Sequence, residues 1–267
     1  MMTRRRTKSA GAALVTGAAR RIGREIALAL ARDGWDIAVH YATSRDEALD
    51  TVREIEALGQ RAIAVNRDLA VEAGVRSLLA ECAHELGEVR CIVNNASLFE
   101  HDSAATFSAE SLIRCMRTNV AAPVLLAESL HATLAPDERG VVINLLDQKL
   151  WNPNPDFLSY TLSKAALREA TVLLAQALAP RVRVVGIAPG ITLPSGDQSE
   201  AGFAAAHTAT PLGRSSQPED IASAVVFVAR ADAITGTTLL VDGGQHLVPS
   251  HRDVMFLTEP ASPPAAA

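Results

Sequence analysis

Seven short runs of Val, Ile, Leu and Ala punctuate the chain, at residues 12–15, 37–41, 62–65, 91–93, 141–146, 182–187 and 238–241. Their apolar, partly β-branched character predicts buried strands. Between them, residues 22–33, 45–58, 71–86, 108–135, 159–179 and 218–230 carry apolar positions at helical spacing and are long enough for crossover helices. Seven buried strands alternating with helices predict a parallel sheet in a doubly wound α/β fold, in which ligands sit beyond the carboxyl ends of the strands. No internal repeat and no Pro/Gly-rich linker divides the pattern.

Composition adds limits. A chain of 267 residues with 48% hydrophobic content and mean hydropathy +0.14 can bury the core of one large domain. A net charge of −5 without a basic cluster in the body argues against a nucleic-acid surface, because phosphate binding needs a clustered positive field. Three cysteines, Cys82, Cys91 and Cys115, form no C-x-x-C pair and fit a reduced, cytoplasmic compartment. No apolar stretch approaches the roughly 20 residues that span a bilayer, so no membrane association is expected. Residues 1–9, with Arg4-Arg5-Arg6, read as a disordered basic tail, residues 10–248 as the folded domain, and residues 249–267 as an extension that is flexible at its Pro- and Ala-rich end. The seven histidines show no H-x-x-x-H spacing, so no metal is expected, and no G-x-S-x-G elbow supports a hydrolase.

The candidate chemistry gathers at the predicted strand ends. The first strand enters Thr16-Gly17-Ala18-Ala19-Arg20-Arg21-Ile22-Gly23, where glycines let backbone N–H groups approach a pyrophosphate at a helix N-terminus and Arg21 can reach an anion itself. The second strand ends His40-Tyr41-Ala42-Thr43-Ser44-Arg45 with no acid at its tip; Arg, Ser and Thr suit a 2′-phosphate and predict a preference for NADPH. Asp68-Leu69 and Asn94-Asn95-Ala96-Ser97 follow the third and fourth strands, where short polar residues either bond an adenine edge or fix the backbone. Asn119 is a poor helix former within a helical pattern, which suggests a structural or proton-relay duty.

The richest stretch is residues 147–164. Tyr160 and Lys164 are four residues apart and share one helix face, where a cation lowers the proton affinity of a phenol whose ordinary pKa is about 10. Asp147 ends the apolar run that starts at Val141, an unusual place for an acid.

Taken in order, Thr16-Gly17 with Gly23, Asn94-Asn95-Ala96, Asn119, Tyr160-x-x-x-Lys164, Pro189-Gly190 and the ending Thr235-Gly236 … Val241-Asp242-Gly243-Gly244 resemble the short-chain dehydrogenase/reductase family over residues 10–248. The resemblance implies a Rossmann-fold oxidoreductase with Tyr160 as proton donor, Lys164 holding the nicotinamide ribose, Asn119 supporting a water relay and Thr192 contacting the cofactor. It also implies a homotetramer paired through the Ala- and Leu-rich helices near residues 112–134 and 160–179. The family usually has Ser where Asp147 stands. That departure, together with Arg21 in place of a middle glycine and the run Asn95-Ala96-Ser97-Leu98-Phe99, resembles the pteridine reductase branch.

A pterin ring can stack on Phe99, and its N–H and amino groups can donate to Asp147. Arg21, Ser97, Phe99, Asp147 and Tyr160 are therefore the expected substrate contacts, with pterin reduction by NADPH as the expected reaction. Two other readings remain: a generic ketone reductase in which Asp147 is incidental, and a non-catalytic NADPH sensor or scaffold. Trp151 either lines the pocket or caps its rim. Residues 192–210, with Gly196 and Gly202 and few large apolar side chains, read as a substrate lid.

Overall fold

In the computed structural model, residues 10–194 and 198–257 are described. The predicted basic tail, Gly196 of the expected lid and the Pro- and Ala-rich end lie outside them. Seven parallel strands are present: β1 (Ala12–Val15), β2 (Asp36–Tyr41), β3 (Ala62–Asn66), β4 (Val89–Asn94), β5 (Gly140–Leu145), β6 (Val182–Pro189) and β7 (Thr238–Val241). They lie in the order β3-β2-β1-β4-β5-β6-β7. The order reverses between β1 and β4, the topological switch point where doubly wound sheets form their crevice. β1 pairs with both neighbours there, Val15 opposite Val39 of β2 and Val93 of β4.

Alternate residues along each strand feed opposite faces. Ala13 and Val15 join one core with Ile37, Val39, Val93 and Ile143, covered by α1 (Arg21–Arg32) and α8 (Pro218–Arg230). Ala12 and Leu14 join the other with Ile92, Val142 and Val184, covered by α3 (Glu72–Leu86) and α5 (Ala122–Thr133). All six residues of β5 are buried, which explains an apolar run uninterrupted until Asn144. The Asn144 side chain is satisfied by Asn94 and Thr171 inside the core.

Helix positions follow the sequence pattern except over residues 108–135, 200–208 and 254–257. The stretch expected as one helix over 108–135 is α4 (Ala109–Met116), a π-helical turn (Arg117–Ala121) and α5. The expected lid contains a helix, α7 (Glu200–Thr208), capped by the Ser199 side chain. The remaining helices are α2 (Arg45–Ala57), α6 (Leu158–Leu178) and a final turn, α9 (Val254–Leu257). Among the described residues, no helix is long and apolar enough to cross a membrane.

Candidate active site

Tyr160 and Lys164 sit on the first turns of α6, and their placement starts with that helix's entry. Phe157 precedes α6 in the left-handed region at φ +56°, a conformation costing a non-glycine residue about 1–2 kcal/mol. The Asp102 carboxylate, on the loop after β4, accepts from the Ser159 backbone N–H at 3.0 Å and from its hydroxyl. Asp102 thus caps the helix that carries Tyr160 and Lys164, and nothing in its local sequence marks it for this.

Lys164 reaches β5, donating from Nζ to the Leu145 carbonyl at 2.7 Å. Its Nζ lies 5.7 Å from the centre of the Tyr160 ring, and burial lowers its pKa to about 8. The Tyr160 hydroxyl donates to Asp147 Oδ2 at 2.8 Å, while Asp147 Oδ1 accepts the Lys149 backbone N–H at 2.8 Å. Burial raises the proton affinity of the Asp147 carboxyl. Tyr160 is also raised well above its ordinary value, first by burial and then by the charge of Asp147. The expected lowering by Lys164 is therefore corrected: in this arrangement burial and the carboxylate outweigh the ammonium. Asp147 and Tyr160 form a buried hydrogen-bonded pair, each with its proton affinity raised.

Asn119 occupies the π-helical turn, a local irregularity frequent at functional sites. Its amide is used on both sides: Oδ1 accepts the Leu98 N–H at 2.8 Å, and Nδ2 donates to the Leu98 carbonyl at 3.0 Å and to Ser163 Oγ at 2.9 Å. It ties the loop bearing Ser97 and Phe99 to α6. Phe99 stacks on Phe157 with ring centres 4.2 Å apart and meets the Tyr160 ring edge-on at 4.7 Å.

The glycine turn after β1 is built by close approach. A Cβ on Gly23 would lie 2.2 Å from the Gly17 carbonyl oxygen and 2.5 Å from Asn95 Nδ2. Asn95 donates from Nδ2 to the Thr16 carbonyl at 2.8 Å, and Thr16 Oγ1 accepts the Asn95 and Ala96 N–H groups. Behind the turn, His40 Nδ1 accepts the Gly17 N–H at 3.1 Å and Nε2 faces the Arg67 carbonyl at 3.0 Å. Burial lowers the His40 pKa, which keeps Nδ1 free to accept. The first turn of α1 has no acidic residue and no side-chain cap, leaving its N–H groups and positive end available to an anion.

A cavity of about 320 Å³ brings together Arg21, Ile22, Asn95, Ser97, Phe99, Asp147, Tyr160, Lys164, Pro189, Gly190 and Thr192. Arg21 closes one side, donating to the Pro194 carbonyl at 2.8 Å. Thr192 is buried, its hydroxyl bonded to the Gly190 carbonyl and Ser216 Oγ. Gly17, Gly23, Ala96 and Asn119 are not on this wall; Gly17 and Gly23 pack against Asn95, which is, and Asn119 bonds Leu98 and Ser163. Tyr41, Thr43, Ser44 and Asp68 belong to the neighbouring β2 and β3 ends, with Thr43 and Asp68 exposed. The His40 ring bonds backbone groups, and the Leu69 side chain is buried in the core with Val65 and Val75.

Trp151 is absent from this cavity wall and lies against the Arg168 guanidinium at 5.8 Å. Sequence reasoning missed Gln148, Gln198 and Gln245 and the segment Asp253-Val254-Met255, all on the wall. The apolar run at residues 254–257, beyond the last strand, was the available signal.

A strand-to-helix glycine turn, an open helix N-terminus and a Tyr/Lys pair at the carboxyl edge of a parallel sheet define a Rossmann-fold oxidoreductase. A family model described as Enoyl-(Acyl carrier protein) reductase matches residues 17–246. The crystal structure of FolM Alternative dihydrofolate reductase 1 from Brucella canis, complexed with NADP, is similar at TM-score 0.84 and 40% identity, covering 90% of this chain and 95% of that one. An uncharacterized oxidoreductase of Methylorubrum extorquens is 35% identical over 243 residues, 87% of this chain and 96% of that protein. The 3-oxoacyl-(acyl-carrier-protein) reductase FabG of Staphylococcus epidermidis is 32% identical over 244 residues, 88% and 98% of the two chains. The chain belongs to the short-chain dehydrogenase/reductase family.

Proposed function

We propose that this protein uses NADPH to reduce a pterin, a dihydropterin or a dihydrofolate-like substrate. The observation that carries the reading is the Asp147–Tyr160 hydrogen bond at 2.8 Å, where the family usually has Ser. The likeness to a FolM dihydrofolate reductase agrees with it, and the FabG likeness keeps ketone reduction as the competing outcome.

The residues present fit the cofactor. Gly17, Ile22 and Gly23 offer a close-approach turn at an uncapped helix end for the pyrophosphate. Thr43, Ser44 and Arg45, with no acid at the β2 tip, suit a 2′-phosphate, and Asp68, Leu69 and Ala96, which follow β3 and β4, are the remaining contacts of this reading. Lys164, Pro189, Gly190 and Thr192 stand where the nicotinamide end would lie. When bound, NADPH supplies the hydride. The chain's own residues then supply order and protons. Phe99 offers a flat face for the heterocycle, Arg21 an anion-seeking donor, and Asp147 an acceptor for ring N–H or amino groups. Tyr160, with Asp147 as its proton reserve, delivers a proton to the nitrogen beside the reduced carbon.

A ketone makes the opposite demand, because an ionised Asp147 repels the oxyanion that develops on it. NADPH oxidation with dihydrobiopterin and dihydrofolate, set against a ketone panel, tests the reading. Pterin turnover lost in Asp147→Ser, with ketone turnover retained or gained, is the expected result; no turnover of any pterin overturns it. Exposed Leu162, Val172 and Leu173 on α6 support a homotetramer paired through that helix. The buried free cysteines fit a cytoplasmic location.

A further inference from the structure

Residues 248–256 turn back over the carboxyl end of the sheet and are held there by partners about 100 positions away. Asn152 Nδ2 donates to the Val248 carbonyl at 2.6 Å. The Asp156 carboxylate receives the Arg252 guanidinium at 2.8 Å and the Asp253 N–H at 2.7 Å. Phe256 packs against His101 and Phe157, with ring centres 5.2 and 6.1 Å apart. Lys149, 3% exposed, donates from Nζ to the Asp156 carbonyl at 2.7 Å and to Asp253 Oδ2 at 3.1 Å. This places Asp253 on the wall of the Tyr160 cavity.

Asp253 has capacity to spare. A carboxylate offers about four acceptor sites, and its known partners are Lys149 Nζ and the Met255 N–H. Two further polar side chains line the same cavity with buried atoms that have no hydrogen-bond partner among the described residues: Gln148 Oε1, an acceptor, and Gln198 Nε2, a donor. Gln198 is only 9% exposed. Buried amide atoms are rarely left unpaired unless something else fills the bond.

We propose that Asp253, Gln148 and Gln198 form a substrate-recognition edge. Asp253 and Gln148 Oε1 accept amino and ring N–H groups of a flat nitrogen heterocycle, and Gln198 Nε2 donates to a ring acceptor. The class of ligand rests on the pterin reading; the presence of a donor- and acceptor-reading edge does not. The C-terminal segment is then part of the specificity apparatus. A substrate whose reacting end carries only a ketone leaves that edge unpaired, which is how polar sites reject analogues.

The test is binding of 2,4-diaminopteridine to the NADP-loaded enzyme, followed by protein fluorescence, in wild type, Asp253→Asn and Gln198→Leu. KM values for a donor-free diketone are measured alongside. About tenfold weaker diaminopteridine binding in each variant is expected, as for loss of one charge-assisted or buried hydrogen bond, with the diketone KM within twofold of wild type. Arg252→Gln, which weakens the anchor but keeps the Asp253 carboxylate, controls for loosening of the segment and is expected to bind within threefold of wild type. If Asp253→Asn undocks the segment, Gln198→Leu reads the edge independently. Unchanged binding in both variants, equal losses for diaminopteridine and diketone, or no binding to wild type overturns the proposal. Diaminopteridine binding with the expected losses but no pterin turnover sinks the proposed function and leaves the edge standing; pterin turnover with unchanged variants does the reverse.

Discussion

The Tyr160 hydroxyl and the Asp147 carboxylate share one hydrogen bond, 2.8 Å long, and the second carboxylate oxygen is held by the Lys149 N–H. The acid therefore has two structural roles: it caps the short 3₁₀ turn Gln148–Leu150 and accepts the Tyr160 hydroxyl. A serine could cap the turn equally well. It could not store a proton, and the carboxyl's raised proton affinity makes that storage available closer to neutral pH.

That storage has a stability cost. Burial raises the Asp147 pKa in the folded chain, so its favourable contribution is present below the unfolded value and is lost as pH rises through the folded one. At pH 7.5, Asp147→Asn is expected to raise the melting temperature by about 2–4 °C, on the order of 1 kcal/mol for a domain of this size. Pterin turnover is expected to fall by about 10²–10⁴, the usual worth of a proton-transfer group. Differential scanning fluorimetry and a rate assay check both; an unchanged or lower melting temperature contradicts the burial argument.

Lys164 gives a pH signature of the opposite sign. Its pKa falls from 10.5 to about 8 on burial. Between those values the unfolded chain holds a proton that the folded chain lacks, so this group's contribution to stability rises with pH from about 8 to about 10.5. Cys82 and Cys91, pushed up to about 12, act in the other direction above pH 9. The difference between wild type and Lys164→Met isolates the lysine. Wild type is expected to gain on the variant in melting temperature between pH 7.5 and 9.5; a flat difference refutes the lowered pKa.

The strands were legible because burial on both faces forces contiguous apolar runs, and the long crossover helices because each hides one stripe. Helix α7 was not, since Ala201, Gly202 and Ala204–Ala206 give little contrast between its faces. The π-helical turn at Arg117–Ala121 is a change of hydrogen-bond register with no compositional mark beyond Asn119 itself. Tyr160 and Lys164 were legible as a pair, but the sign of the Tyr160 shift was not, because burial and the Asp147 carboxylate both depend on tertiary approach. Asp253 was read only as part of a C-terminal extension for the same reason: its anchor, Lys149, lies 104 positions earlier.

The glycine turn offers a steric prediction. A methyl group on Gly23 meets the Gly17 carbonyl at 2.2 Å, and that carbonyl is itself held by Asn95. Neither neighbour is the free end of a flexible side chain, so the turn must open. Gly23→Ala is expected to destabilise the fold by about 1–3 kcal/mol and to weaken NADPH binding more than tenfold, measured by unfolding and by cofactor fluorescence. Wild-type cofactor affinity in a folded variant would show that the turn does not hold the pyrophosphate.

The 2′-phosphate site proposed at the tip of β2 gives a prediction on cofactor preference. Ala42 is exposed immediately after the strand, at the place where an NAD-type site carries an acid, and Thr43, Ser44 and Arg45 follow it. An added carboxylate there repels a 2′-phosphate and can accept from a 2′-hydroxyl, so one substitution acts on both cofactors in opposite senses. Ala42→Asp is expected to raise the KM for NADPH about tenfold or more and to lower that for NADH, with the Tyr160 chemistry untouched and kcat on saturating cofactor nearly constant. Steady-state kinetics with both cofactors reads this directly. If the variant keeps its NADPH affinity, the 2′-phosphate is bound elsewhere, and the assignment of Thr43 and Ser44 falls with it.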